Sequence, residues 1–151
     1  MNPHSTAGPP EGTIRWRVAL RSARGTVFGF LATAEGRAQF WAEEAPERDG
    51  TIHFRFPNGE RLEAQVIECL PPRRFALRYF AGSRVTFSLT DDNTGGCVVT
   101  LEEHGLTPGQ ERENAPGWVS VLLALKAAAD HGVDLRNHDP RRTWGQGFVD
   151  N

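Results

Sequence analysis

The sequence of 151 residues is poor in lysine. Lys126 is the only lysine among 17 basic residues, and the arginines are spread along the chain instead of gathering on one face. The net charge is -2 and the pI is about 6.2. This balance lacks the basic footprint of nucleic-acid-binding proteins, so we expect no nucleic-acid partner.

Long apolar runs are also missing. No stretch approaches the roughly 18 apolar residues that a membrane-spanning helix needs, and the first residues, MNPHSTAGPPEG, lack the basic and apolar regions of a secretory signal. We expect a flexible lead-in over residues 1–12 and a cytoplasmic protein without a membrane partner.

Cysteine is too scarce for a disulfide framework or a CxxC metal clip. Cys69 and Cys97 both fall in strand-like stretches, where a reduced cysteine behaves as a small buried hydrophobe. The chain has no P-loop, GxGxxG or Ser-His-Asp pattern, and we expect no cofactor.

The sequence contains several stretches in which apolar and polar residues alternate. Odd-even apolar patterns in TIRWRVALR, TIHFRFP, RLEAQVIECL, RFALRYF, RVTFSLT and CVVTLEEH predict strands. Asn58-Gly59 predicts a hairpin, the phase break at Ile67 a bulge, and Pro71-Pro72 a strand end. The short connections favour antiparallel pairing.

Helical spacing occurs in two places. Val27, Phe28 and Leu31 indicate a short helix, and Thr33 is a good N-cap for a second. In NAPGWVSVLLALKAAADHG, Asn114 is the expected N-cap of a long helix, with Pro116 in its first turn and Gly132 after its end.

These elements predict an α+β fold. One strand, two short helices, a meander of strands and a long C-terminal helix form a curved antiparallel sheet of about six or seven strands wrapped around that helix. We place this domain at residues 13–132 and a tail at residues 133–151, packed on the domain or on a partner.

The order of elements resembles the START-like, or SRPBCC, superfamily with its helix-grip fold. It is most similar to the branch named for the activator of the ninety-kilodalton heat-shock chaperone's ATPase. The resemblance rests on VFGFLATAEGRAQFW, PPRRFALRYF, VTFSLTDDNTGGCVVTLEEHGL and GWVSVLLALK, from about Ile14 to Asp130. Phe28 departs from it, because a tryptophan is commoner there, and Gly25 and Gly29 loosen the first short helix.

A curved sheet around one helix often leaves a space for an apolar ligand. The side chains expected around that space would serve equally well as plain core; Tyr79 and Trp118 are the better candidates for ligand contact because each has a polar handle. The full set is Phe54, Phe56, Tyr79, Phe87, Trp118, Leu122 and Leu125.

Two sites of chemistry are considered. If strand alternation aims His104 into the cavity, Glu102 or Glu103 could orient it as a general base, with Tyr79 nearby; alternatively EEHGL is a solvated strand end.

The tail supplies the second site. His131, Asp134, His138 and Asp139 have metal-ligand chemistry, but they surround a turn, where Asp139 before Pro140 is a helix-start signal. We therefore predict no metal. Trp144 and Phe148 are apolar anchors for the body or for a second copy, which leaves a homodimer open.

Three functions follow in order of preference. The first is binding of a small apolar or amphipathic molecule without a defined reaction. The second is a co-chaperone-like protein that acts on a heat-shock chaperone's ATPase, as the resemblance implies. The third is a cyclase- or dehydratase-like pocket enzyme that uses His104 or Tyr79.

Overall fold

The computed structural model describes residues 8–151. Most of the lead-in predicted for residues 1–12 therefore lies outside the described residues. The elements run β1 (Thr13–Leu20), α1 (Arg24–Ala32), α2 (Ala34–Ala38), β2 (Glu47–Arg48), β3 (Thr51–Arg55), β4 (Arg61–Leu70), β5 (Arg74–Arg78), β6 (Arg84–Asp91), β7 (Cys97–His104) and α3 (Pro108–His131). Two short 3-10 helices lie at Phe80–Gly82 and Trp144–Gln146.

The seven strands form one antiparallel curved sheet in the order β1-β7-β6-β5-β4-β3-β2. Every step from β2 to β7 joins strands that are neighbours in sequence, and β1 closes against β7 with Thr13 opposite His104 and Leu20 opposite Cys97. Short loops account for the antiparallel meander. The predicted α+β fold, with two short helices after the first strand and a long C-terminal helix, is confirmed.

The strand irregularities fall where the sequence indicates. The register of β4 against β5 shifts between Val66 and Glu68, which is the predicted bulge. Gly59 turns the chain between β3 and β4 with φ +87°, and β4 ends at Leu70, immediately before the two prolines.

The start of α3 differs from the prediction. The helix begins at Pro108, not near Asn114, because Thr107 and Gln110 form a reciprocal capping box and Pro108 occupies the first position. Asn114 and Pro116 consequently lie inside the helix. The predicted caps at Thr33 and Gly132 are confirmed: Thr33 accepts from the Gly36 amide, and Gly132 adopts φ +64°.

The core fills the space between the sheet, α1 and α3. Its strand contribution alternates most regularly along β7, where Cys97, Val99 and Leu101 are all buried. Gly36 permits a close backbone approach, because a Cβ there would lie 2.4 Å from Cα of Phe30. Cys97 is buried as expected, but the expectation for Cys69 is wrong: it lies near the end of β4 and is exposed.

Arg37, although fully buried, forms no ion pair with a carboxylate within residues 8–151. Its guanidinium donates to the carbonyl of Ala45 at 2.7 and 3.0 Å and to that of Leu31 at 3.0 Å. These hydrogen bonds compensate the burial of the charge and hold the segment after α2 in place. Phe40 and Trp41 of that segment are buried in the core.

None of the helices in the described part of the chain combines the length and apolar character that a bilayer crossing requires.

Candidate functional site

An open cleft of about 690 Å³ lies between α3, the β3–β4 turn, the segment after β5 and the C-terminal tail. Seven of its lining side chains are aromatic: Phe40, Trp41, Phe56, Tyr79, Phe80, Trp118 and Trp144. A volume in this range suits a small organic molecule, and aromatic walls with a few polar groups are typical of ligand sites.

Trp41 is the centre of the aromatic cluster. Its ring centroid lies 4.9 Å from that of Phe54, 5.4 Å from Phe87, 5.9 Å from Tyr79 and 6.0 Å from Trp118. These separations and the tilted or edge-on geometries are those of favourable aromatic pairs. The cluster therefore forms a rigid wall in which only some members reach the cleft.

The seven side chains predicted around a cavity divide into two groups. Phe56, Tyr79 and Trp118 line the cleft. Four others lie behind it in the packed core: Phe54, Phe87, Leu122 and Leu125. Close packing on both sides of the sheet–helix interface explains why those four do not line the cleft.

Tyr79 has a polar end in the cleft wall. Its hydroxyl oxygen accepts a hydrogen bond from Nε1 of Trp41 at 3.1 Å. Burial raises the pKa of the Tyr79 hydroxyl, and the negative charges of Glu103 and Glu60 raise it further. Tyr79 therefore keeps its proton at neutral pH, so its O–H can donate a hydrogen bond to a ligand and does not serve as a base.

The interpretation that places His104 in the cavity is not supported by its position. The alternation of β7 buries Glu103 and turns Glu102 and His104 to the other face. His104 lies at the strand end, with Nδ1 3.2 Å from Oγ1 of Thr13 and Nε2 3.5 Å from Oε2 of Glu102. It does not line the cleft.

Glu103 was considered only as a possible partner of His104, and its place in the core was not predicted. The side chain is fully buried, with Oε1 accepting from Nε1 of Trp118 at 2.8 Å and from Nδ2 of Asn114 at 3.2 Å. Oε2 accepts from Oγ of Ser83 at 2.6 Å. No basic side chain among the described residues forms an ion pair with Glu103, so neutral donors alone compensate its burial.

Asn114 gains its orientation from this carboxylate. Because a carboxylate oxygen accepts, the amide nitrogen of Asn114 faces Glu103, which leaves the amide oxygen as a potential acceptor beside the cleft that Asn114 lines. The signal for Glu103 was in the sequence, since position 103 continues the buried parity of Val99 and Leu101.

The tail forms the remaining wall of the cleft. Leu135, Arg136, Trp144 and Val149 line it, whereas Phe148 is 39% exposed. The guanidinium of Arg136 donates to the carbonyls of Ala38 and Ala42 at 2.7 and 2.8 Å and to Asp134 at 3.0 Å. These bonds attach the tail to the segment after α2.

The four tail residues with metal-ligand chemistry do not converge. His138 lies between Glu43 and Asp134 with both contacts at 2.7 Å, whereas His131 at the end of α3 contacts Arg21. Asp139 accepts from the Arg141 amide, so it caps a turn; the helix start predicted there is wrong, and the next helix begins at Trp144. No group of three His, Cys, Asp or Glu side chains suited to a metal ion occurs in residues 8–151.

Hydrogen bonds to Asp134 explain the tail's electrostatics. Burial by itself would raise the pKa of Asp134, but hydrogen bonds from Arg136 and His138 lower it to about 2. The bond to Asp134 is also the main cause that raises the pKa of His138 above its usual value, with burial opposing and Glu43 assisting. Glu43, Asp134, Arg136 and His138 form an ion-paired cluster that holds the tail on the domain; we call this cluster the clasp.

The fold is that of the helix-grip class, and comparison with solved structures agrees. The chain is similar to protein SSP2350 from Staphylococcus saprophyticus, with a TM-score of 0.73, 24% identity, and coverage of 82% of this chain and 96% of that one. It is also similar to the Aha1 dimer from Colwellia psychrerythraea, with a TM-score of 0.69, 21% identity, and coverage of 80% and 97%.

A third neighbour is DynU16, a protein in the dynemicin biosynthetic locus, with a TM-score of 0.73 and 18% identity over 83% of this chain and 49% of that one. These likenesses to solved structures, at 18–24% identity, confirm the fold that the resemblance implied, and they show the fold alone. No family model and no curated protein matches the chain.

Proposed function

We propose that this protein binds a small apolar or amphipathic molecule in the aromatic cleft between α3, the β3–β4 turn and the tail. The observation that carries the proposal is an open space of about 690 Å³ with seven aromatic lining side chains. Clefts in this volume range with largely apolar and aromatic walls are typical of small-molecule sites. Within the same proposal, the protein works in the cytoplasm.

The polar groups of the cleft support an amphipathic ligand. Tyr79 offers an O–H donor and Asn114 an amide oxygen, and both residues line the same space. Few convergent polar groups on an apolar wall fix a ligand's orientation.

Gly117 provides a direct test of occupancy. It lies on the cleft side of α3, and a Cβ built there meets no atom within 4 Å. A Gly117→Leu substitution should project a side chain into the cleft and obstruct part of it, and its Cβ would meet no backbone. The matched control is Gly109→Leu, since Gly109 lies in the same helix with equally open surroundings but does not line the cleft.

The measurement is a thermal-shift screen of aromatic, sterol, flavonoid and fatty-acid compounds. A ligand at 100 times its dissociation constant stabilises the native state by about 2.7 kcal/mol, which is several degrees for a domain of this size. We expect hits whose shifts disappear in Gly117→Leu and persist in Gly109→Leu. A screen without hits, or hits indifferent to Gly117→Leu, would contradict the proposal.

The second candidate is a co-chaperone-like role, favoured by the Aha1 neighbour. It predicts that the protein changes the ATPase rate of a cognate heat-shock chaperone. The third, a pocket enzyme, now rests on Tyr79 alone, because His104 lies outside the cleft. It predicts turnover that Tyr79→Phe abolishes.

A homodimer is part of the same proposal. Phe148 and Val149 expose 39% and 69% of their surface on the tail. Light scattering of the full chain and of a chain ending at Leu135 tests it, because a tail-mediated dimer would fall to half its mass on truncation.

A further inference from the structure

The charges around the cleft have one sign. Glu60, Glu113 and Asp150 line it, and each is exposed at its rim. None of these three forms an ion pair within residues 8–151, and the neighbouring Arg61 and Arg112 do not line the cleft.

The cleft's single basic lining residue is already compensated. Arg136 uses its guanidinium on the carbonyls of Ala38 and Ala42 and on both oxygens of Asp134. Its charge is thus paired before a ligand arrives.

A fourth negative charge lies behind the wall. Glu103 is bonded to the indole N–H of Trp118, whose ring lies 5.2 Å from that of Tyr79. A carboxylate in this place puts negative charge at the edge of an indole ring that lines the cleft. The charges of Glu103 and Glu60 also raise the pKa of Tyr79, after the larger effect of burial.

Aromatic faces and carboxylates favour the same kind of ligand. A cation is attracted to the negative face of an indole or phenol ring, and more strongly where it is partly desolvated. Carboxylates at the rim add long-range attraction that salt weakens. An anion would meet repulsion from both features.

We propose, as an extension of the proposed function, that the ligand is an apolar organic cation, namely an amine on an aromatic skeleton held by the aromatic wall and the acidic rim of the cleft.

The test uses three probes with one skeleton: naphthylethylamine, naphthylethanol and naphthylacetate. Isothermal titration gives the affinity of each for the full chain at low and high ionic strength. We expect the amine to bind about tenfold tighter than the alcohol and the acetate to bind weakest, with only the amine's affinity falling as salt rises.

Three variants assign the effect to the rim. Glu60→Gln and Glu113→Gln should each weaken amine binding by about threefold, the size of an exposed charge interaction, and leave alcohol binding unchanged. Glu63→Gln is the control, because Glu63 on β4 is 77% exposed and does not line the cleft.

The outcomes separate the two proposals. If the alcohol or acetate binds as tightly as the amine, and Gly117→Leu abolishes that binding, the cleft is a ligand site and the cation inference is wrong. If all three probes fail to bind, the cation inference is wrong; the proposed function then depends on the wider screen.

Discussion

Removal of the buried carboxylate at Glu103 should reveal how much the cleft wall depends on it. In Glu103→Leu, the hydroxyl of Ser83 and the indole N–H of Trp118 lose their acceptor while both side chains stay buried, 2% and 4% exposed. Each unsatisfied buried donor costs about 1–3 kcal/mol. Asn114 is only partly buried, so water can take the place of its bond. We expect a loss of about 2–6 kcal/mol from a total that is about 5–15 kcal/mol in proteins of this kind.

Glu103→Gln should be much milder. Its amide oxygen retains the two donors that use Oε1, and its amide nitrogen can donate to Ser83, whose hydroxyl both donates and accepts. The loss should be about 1 kcal/mol. Glu102→Leu is the control, since Glu102 is the adjacent β7 residue on the opposite, partly exposed face.

Urea unfolding followed by tryptophan fluorescence measures these differences. With a slope of about 1–3 kcal/mol/M, Glu103→Leu should lower the midpoint by about 1–3 M and Glu103→Gln by less than half as much. If Glu103→Leu proved as stable as the unchanged protein, the reasoning from buried donors would be refuted.

Two further predictions concern pH, and one concerns helix propensity. Burial would raise the pKa of Asp130, but the amides of Arg21 and Ser22 and the hydroxyl of Ser22 lower it to about 2. The stability that this carboxylate contributes is present above its unfolded pKa of 3.8 and is lost as the pH falls toward 2. Asp130→Asn should therefore cost about 2 kcal/mol at neutral pH and flatten acid denaturation between those two pH values. The folded pKa of His138 is raised, so its contribution to stability is complete below pH 6.5 and is lost as the pH rises through the folded pKa. Asparagine suits the positive φ of 55° at this position, and His138→Asn should remove this loss of melting temperature at higher pH. An unchanged pH profile of the melting temperature would exclude the clasp. Gly117→Leu should raise stability by about 0.5–1 kcal/mol through helix propensity, and a lower melting temperature would show that the cleft is closed at this point.

Much of the fold could be predicted because its strands alternate cleanly. Val85, Phe87 and Leu89 of β6 are all buried, as their spacing indicates. The start of α3 was missed because Asn114 and Pro116 imitate a cap and a first turn, although Thr107-Pro108-Gly109-Gln110 carries a complete capping box.

The site was only partly predictable. Phe56, Tyr79 and Trp118 were found from alternation and helical spacing, and they line the cleft. Two features of the site were not found from the sequence. Glu103 occupies a buried strand position where carboxylates are rare, and the approach of the tail to the cleft depends on Arg136 reaching the carbonyls of Ala38 and Ala42, which no local pattern encodes.

Binding of a small molecule in the cleft can be observed directly through the indole N–H signals in a nitrogen-labelled NMR spectrum. Three of the four tryptophans, Trp41, Trp118 and Trp144, line the cleft. Trp16 on β1 does not, and its indole donates to the carbonyl of Ala115. Single Trp→Phe variants assign the four signals. During titration with naphthylethylamine and naphthylethanol, we expect the three cleft signals to shift saturably and the Trp16 signal to stay in place. If none moved with either compound, or Trp16 moved with the rest, binding in the cleft would be contradicted.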